Sequence, residues 1–266
     1  MKQKNLSLIY FSPTGNTKKV VEAVGAGLGN AENVYDLTLV KGRAAALAFG
    51  SEDVVVFGAP VYAGRIPELM EHWMEKLKGE GTLAVPVVVY GNRDYEDALI
   101  ELRDLMAARG FQCVAGGAFV GEHSYTELVA TGRPDIEDLD GAKAFGRETA
   151  AYINSLMTSG GQVNISLNVS GSLPYKERKA TPPMAPVTSD ACTSCGICAS
   201  FCPTSAIDFM DFSKIEAEKC LRCCSCIRKC PVEAKRFEHE MIQQITNRLI
   251  ENCSEVRKSP AFFYIE

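Results

Sequence analysis

Cys192-Thr-Ser-Cys195-Gly-Ile-Cys198-Ala-Ser-Phe-Cys202-Pro203 is followed by Cys220-Leu-Arg-Cys223-Cys224-Ser-Cys226-Ile-Arg-Lys-Cys230-Pro231. The two stretches are one figure of four cysteines and a proline, the second lying 28 residues after the first, from Cys192 to Cys220. Two-residue gaps let three thiolates of one tight loop reach three irons of a cubane, while the fourth Cys of each figure serves the neighbouring cluster. Zinc knuckles pair two short Cys steps and need neither a third Cys two residues on nor the Cys-Pro, and a disulfide framework has no use for this spacing. The ladder therefore predicts two [4Fe–4S] clusters. One is expected on Cys192, Cys195, Cys198 and Cys230, the other on Cys220, Cys223, Cys226 and Cys202. Cys224, one residue from Cys223, cannot replace a ligand without breaking the loop. Cys113 and Cys253 are expected to be buried free thiols.

Outward from the ladder, 266 residues allow one or two domains with a sizeable core. The net charge is −5, and residues 1–158 carry the excess, with 21 acidic against 15 basic side chains. That balance argues against nucleic acid as a partner. The start of the chain, Met1 to Asn5, has no signal-peptide pattern, and no apolar run reaches the roughly 18 residues of a membrane helix. A cytoplasmic protein without membrane contact is expected.

Near the start, Leu6-Ser-Leu-Ile-Tyr-Phe11 suits a buried parallel strand, Ser12-Pro-Thr-Gly-Asn-Thr17 a turn, and Lys18 to Leu28 a helix. Such a turn offers backbone N–H groups and hydroxyls to a phosphate, although Ser and Thr there also cap ordinary helices. Strands follow at Val34–Leu37, Asp53–Ala59, Leu83–Tyr90 and Phe111–Val120. Helices are expected after Lys41, over Glu68–Leu77 and Tyr95–Arg109, and a closing one over Asp138–Met157. Alternating strands and helices predict a parallel sheet covered on both faces, with ligands at the carboxyl ends of the strands. Gly121 to Arg133 is read as a solvated insertion rather than a flap, and Gly25-x-Gly27-x-Gly29 as a helix end, since it follows no strand. Ser, Gly and Pro make 159–186 a linker, with an edge strand possible at Val163 to Val169. Short strands are expected at Asp208–Met210 and Lys235–Phe237 beside the ladder, and an amphipathic helix over Glu240–Glu251. The apolar tail Pro260–Ile265 is expected to dock in a groove. His72, His123 and His239 read as surface or capping residues.

The loops Ser12–Thr17, Pro60-Val-Tyr-Ala-Gly-Arg-Ile-Pro67 and Gly91-Asn-Arg-Asp-Tyr95, on strands alternating in the 2-1-3-4-5 manner, resemble the flavodoxin family. The resemblance implies a doubly wound α/β domain binding FMN. Its phosphate would lie on Ser12, Thr14, Gly15, Asn16 and Thr17. Its ring would lie between Pro60, Val61, Tyr62, Ala63 and Gly64 on one side and Tyr90, Gly91, Asn92, Arg93 and Tyr95 on the other, with Tyr62 and Tyr95 as candidates to stack. The whole chain resembles the flavodoxin–ferredoxin fusion proteins of anaerobes, the EFR-type ferrodoxin family. That implies an FMN domain over 1–158, the linker, an α+β 2[4Fe–4S] ferredoxin domain over 187–240, and a helix and tail over 241–266.

The function so implied is electron transfer between the clusters and FMN, interconverting one- and two-electron steps with a redox protein partner, a ferredoxin or an oxidoreductase. The alternative is an FMN-dependent reductase of a small organic substrate fed through the clusters, with Arg65, Arg93, His123 and Tyr125 as the groups available to it. No nucleotide fingerprint for NAD(P)H is present. Arg228 and Lys229 beside Cys230 are read either as cations that raise the potential of the adjacent cluster or simply as solvated side chains.

Overall fold

The computed structural model describes residues 4–159 and 166–265. Strands with apolar residues at every position need cover on both faces, and that requirement organises the first half of the chain. Its elements are β1 (Asn5–Tyr10), α1 (Asn16–Leu28), β2 (Ala31–Asp36), β3 (Leu47–Phe49), β4 (Asp53–Pro60), α2 (Glu68–Trp73), β5 (Leu77–Gly79), β6 (Thr82–Tyr90), α3 (Ala98–Ala108), β7 (Phe111–Cys113), β8 (Ala115–Val120) and α4 (Ile136–Ser159). β6 is buried along its whole length and forms the middle of the core. Parallel pairing orders the main strands β2-β1-β4-β6-β8, which is the 2-1-3-4-5 order once short side strands are set aside.

Helices α1 and α4 cover one face together. A Cβ on Gly27 would stand 2.1 Å from the Lys143 carbonyl, so bare backbone is what lets the two helices touch. Gly27 thus serves helix packing, Gly25 leaves room for Leu8 of β1, and the Gly29 N–H closes α1 on the Gly25 carbonyl.

The expected fifth strand is two strands, because β7 pairs the start of β6 and β8 pairs its end. The helix expected from Glu68 to Leu77 stops at Trp73, continues as a 3₁₀ turn over Met74–Lys76, and gives way to β5, which pairs with β3. The stretch after Lys41 is a single 3₁₀ turn, Val40–Arg43.

The cysteine module carries β9 (Val187–Thr188), α5 (Ile197–Ser200), α6 (Ser225–Arg228) and β10 (Lys235–Arg236), with β10 antiparallel to β9. The repeat survives in the backbone. Positive φ angles occur at Ser194 and Arg222, at Gly196 and Cys224, and at Ser205 and Glu233, each pair spaced by the period of the ladder. The first expected short strand, Asp208–Met210, is a turn instead. Its Asp208 carboxylate accepts the Met210 and Asp211 N–H groups, and pairing is confined to one bridge between Ile207 and Ile215.

Beyond the module, α7 (Glu240–Cys253) buries Leu249 and Cys253 against Val129 of the insertion. The tail is β11 (Ala261–Tyr264), an antiparallel edge strand on β8, with Phe262 stacked on Phe145 at 4.9 Å. The groove expected for it is the sheet edge itself. Of the edge strand expected at Val163 to Val169, residues 163–165 lie outside the described residues, and 166–169 are not strand.

Candidate functional site

At the carboxyl end of β1 the chain turns through Gly15, whose φ of +94° only glycine adopts without strain, and enters α1. The Ser12 hydroxyl accepts the Lys18 N–H at 3.0 Å, and the Ser12 N–H is held by Thr38 Oγ1 at 2.9 Å. These bonds fix the loop. They leave the N–H groups of Asn16 and Thr17 in the first helical turn without an intrahelical partner, which is the arrangement that receives an anion. No Lys or Arg stands among Ser12–Thr17, so the donors are neutral. Thr14 and Gly15 line the same turn, while Thr17 is buried and packs under β4 at Gly58. The Asn16 side chain donates to the Glu122 carbonyl, tying this loop to the insertion.

The other two loops meet each other. Tyr62 and Arg65 exchange backbone hydrogen bonds around Ala63 and Gly64, which both have positive φ, and the Asp97 N–H reaches the Gly64 carbonyl at 3.0 Å. A Cβ on Gly64 would stand 1.9 Å from a Glu96 carboxylate oxygen. Pro60 and Val61 lead into this turn, the Val61 N–H bonding Val89 of the neighbouring strand. Tyr90 and Tyr95 face each other at 5.5 Å. The Asn92 carboxamide is engaged elsewhere, donating to the carbonyls of Cys253 and Val256 and so anchoring the segment after α7. Arg93 is paired with Glu96. Of the expected ring-facing residues, the structure brings Tyr62 and the backbone around Gly64 and Gly91 to the strand ends, and gives the side chains of Asn92 and Arg93 structural partners.

The insertion is no solvated loop. Val129 is fully buried, and Arg133 forms a buried ion pair with Asp138. His123, expected as a surface or capping residue, lies on the backbone of Gly91, with Nδ1 accepting the Tyr125 N–H two residues on. Burial, helped by the cations of Arg228 and Arg93, lowers its pKa to about 4, so the imidazole is neutral and carries its proton on Nε2. His239 caps α7 as expected.

In the module the eight ladder cysteines gather in two fours. Cys192, Cys195, Cys198 and Cys230 line one cavity with Gly196, Phe212 and Lys235, and Cys202, Cys220, Cys223 and Cys226 line another with Ile207, Leu221 and Cys224. Each figure thus contributes three cysteines to one cage and its last cysteine to the other. Backbone N–H groups point at sulfur in matching places, Ala206 to Cys202 at 3.3 Å and Ala234 to Cys230 at 3.2 Å, with Arg222 to Cys220 at 3.4 Å. Burial pushes the Cys223 and Cys226 thiols up to about 12, so thiolates there need a compensating cation, which iron held by Cys202, Cys220, Cys223 and Cys226 would supply. Among the described residues no three His, Cys, Asp or Glu side chains close on an ion-sized point. Four thiols around a cavity, with N–H groups on sulfur, fit a cubane cluster.

The two sites abut. Burial raises the Tyr62 hydroxyl well above its ordinary value, and the nearby Cys223, Cys224, Tyr125 and Cys220 raise it further. Leu221, between two ligands of the second cage, packs on the core of the sheet. The Arg43 guanidinium binds the Pro203 carbonyl. Arg228 donates to the carbonyls of His123 (2.7 Å) and Ser124 (3.2 Å) and pairs with Glu122 and Glu127. The described part of the linker is a strap. Asp97 accepts the Ser172 and Lys176 N–H groups, and the buried Glu101 carboxylate holds Arg65 at 2.7 Å and Arg178 at 2.9 Å. Arg65 is therefore an anchor. Only pairing across more than 30 residues of sequence makes these contacts, and local periodicity carries no signal of them.

A parallel 2-1-3-4-5 sheet with an anion-ready first turn, joined to two thiol cages, defines a flavodoxin-type domain carrying an iron–sulfur module. Comparison with known proteins agrees: residues 7–137 match the family described as flavodoxin domain, and residues 185–208 that described as 4Fe-4S binding domain. An uncharacterized polyferredoxin-like protein of Methanocaldococcus jannaschii is 36% identical over 74 residues, 27% of this chain and 33% of that one, so the match spans a third of that relative's length. Among solved structures, a flavodoxin from the domain Archaea has a TM-score of 0.42 at 18% identity, over 56% of this chain and 99% of its own. Flavodoxin 1 of Bacillus cereus has a TM-score of 0.40 at 17% identity, over 56% and 99%. The chain is a flavodoxin–ferredoxin fusion, and both of its domains are of electron-transfer type. No helix among the described residues is long and apolar enough to cross a membrane.

Proposed function

We propose that the chain moves electrons between two [4Fe–4S] clusters and one FMN in exchange with a redox protein partner. Bound FMN supplies a two-electron store and each cluster a one-electron one. The reading assigns 1–158 to FMN, 159–186 to the linker, 187–240 to the clusters and 241–266 to the C-terminal helix and tail. The observation that supports it most is the contact of the second cage with the flavin loops, since electron exchange between the two sites requires that they adjoin.

The residues then have separate tasks. Thr14, Gly15, Asn16 and Thr17 offer neutral donors to the FMN phosphate, and Ser12 holds their loop. Tyr62 and the Pro60–Gly64 turn flank the ring on one side and Tyr90 to Tyr95 on the other, with the neutral His123 covering Gly91. The reductase alternative is weakened, because Arg65 and Arg93, the cations offered to a substrate, have partners within the chain.

The test is anaerobic purification of Thr14→Ala/Asn16→Ala. Flavin falls to a small fraction of one per chain while iron stays at the parental amount. Retained flavin refutes the phosphate site, and loss of iron along with it refutes the division of labour.

A further inference from the structure

Lys235 is 2% exposed, on β10 opposite Thr188. Its ammonium donates to Thr188 Oγ1 at 2.6 Å and to the Phe212 carbonyl. Both acceptors are neutral. Among the described residues no carboxylate lies within ion-pair distance of it. A buried cation without a counter-charge is costly, and proteins keep one only where something else supplies the negative charge.

The internal repeat gives the comparison within one chain. Residue 235 corresponds to 207 at the ladder's period, and residue 207 is Ile, also 2% exposed. The residue before each has the same contact: Ala206 and Ala234 each place an N–H on the last cysteine of their own figure. Ile207 stands in the wall of the cage formed by Cys202, Cys220, Cys223 and Cys226. Lys235 stands in the wall of the cage formed by Cys192, Cys195, Cys198 and Cys230. The position accepts an apolar side chain, so packing alone does not call for lysine.

We propose that Lys235 is a tuning residue, the buried counter-charge of the cluster held by Cys192, Cys195, Cys198 and Cys230, and that it makes this cluster the easier of the two to reduce. The inference rests on the two-cluster reading above. Adding one electron to a cluster adds one unit of negative charge inside the cage. A fixed cation in the wall favours that state, and an isoleucine in the matching wall does not. The charge at this one position is a difference between two cages built on the same cysteine figure.

The experiment is an EPR-monitored redox titration of the full chain as parent, Lys235→Met and Lys235→Ile, with Cys195→Ser used to assign the signals. In both charge-free variants the reduced-to-oxidised ratio of the cluster altered by Cys195→Ser falls about tenfold at fixed potential, a shift of about 59 mV for one electron. The other cluster moves less. Unmoved potentials, or a larger shift on the other cluster, overturn the inference. If neither charge-free variant takes up iron and Lys235→Arg does, the cation is needed to hold the cluster, which supports the assignment. If Lys235→Arg fails too, side-chain shape is what the site uses and the assignment falls. A parent with one cluster refutes the two-cluster reading. The Lys235 shift is then read on the cluster Cys195→Ser alters, and its absence refutes the inference alone.

Discussion

Replacing Glu101 by Gln should loosen the strap and the Tyr62 turn together. Glu101 is 1% exposed on α3, and its carboxylate accepts from Arg65 Nε and Nη2, from the Ile66 N–H and from Arg178 Nη2, at 2.7–2.9 Å. A glutamine keeps one acceptor, removes the charge and turns an NH₂ toward arginine donors. Removing one partner of a buried pair costs about 3–5 kcal/mol. Arg65 keeps the Lys176 carbonyl and its place over the Tyr175 ring, and water reaches Arg178, so the low end, about 3 kcal/mol, is expected. At roughly 2–4 °C per kcal/mol the thermal midpoint falls by about 6–12 °C. Release of flavin on heating, followed by its fluorescence, reads this directly. Arg178→Ala, at a partly exposed site, should cost only about 1 kcal/mol. A Glu101→Gln midpoint within about 2 °C of the parent, or an Arg178→Ala loss as large, would refute burial of the carboxylate as the reason the strap holds.

Cys202→Ala should damage the cluster whose other ligands are Cys220, Cys223 and Cys226 and spare the one on Cys192, Cys195 and Cys198. Iron counting with EPR checks it, and the reverse pattern would mean that each figure closes on itself. His123 gives a pH test: its folded pKa, about 4, lies below the ordinary value of 6.5, so the unfolded chain takes up the proton first. Its contribution is complete above about pH 6.5 and is lost as pH falls toward 4, by on the order of 3 kcal/mol. Denaturant midpoints of His123→Asn should therefore fall less steeply over that window than those of the parent, and parallel curves would dismiss the buried imidazole as their cause.

The central strands were legible because β1, β4, β6 and β8 are short, almost wholly buried apolar runs, the pattern of strands covered on both faces, whereas the edge strand β2 is mostly exposed. The cysteine cages were legible because ligand spacing is local. Other features depend on partners far along the chain. α3 begins at Ala98 rather than Tyr95 because the preceding turn, with its Asp97 carboxylate, binds the strap. Polar residues from Gly121 to Arg133 look solvated until Arg228 and α7 are placed against them. Pro260–Ile265 reads as an odd apolar tail until its N–H and C=O groups find the open edge of β8. Asp208–Met210 failed for a local reason, the competition of an Asp side chain with a strand ladder.

The repeat shows where this module departs from a plain pair of cluster loops. Four positions of the first figure and their counterparts in the second differ in chemistry while the backbone is the same. Thr193 and Leu221 each line a cage, but Leu221 also packs on the core of the sheet. Gly196 takes the left-handed conformation freely. Cys224 takes it with a side chain, and that thiol lies beside Tyr62 and Tyr125. Ser200 bonds only within its own turn, but Arg228 grips the insertion. Ile207 is apolar where Lys235 is charged. Three of the four substitutions face the flavin loops or the sheet that carries them. In a free-standing module the Leu221 side chain would lose its apolar cover, the Arg228 cation its partners on the insertion, and Cys224 would keep a strained backbone. They are accounted for if the second figure is fixed against the sheet domain, while the first keeps Cys195 exposed.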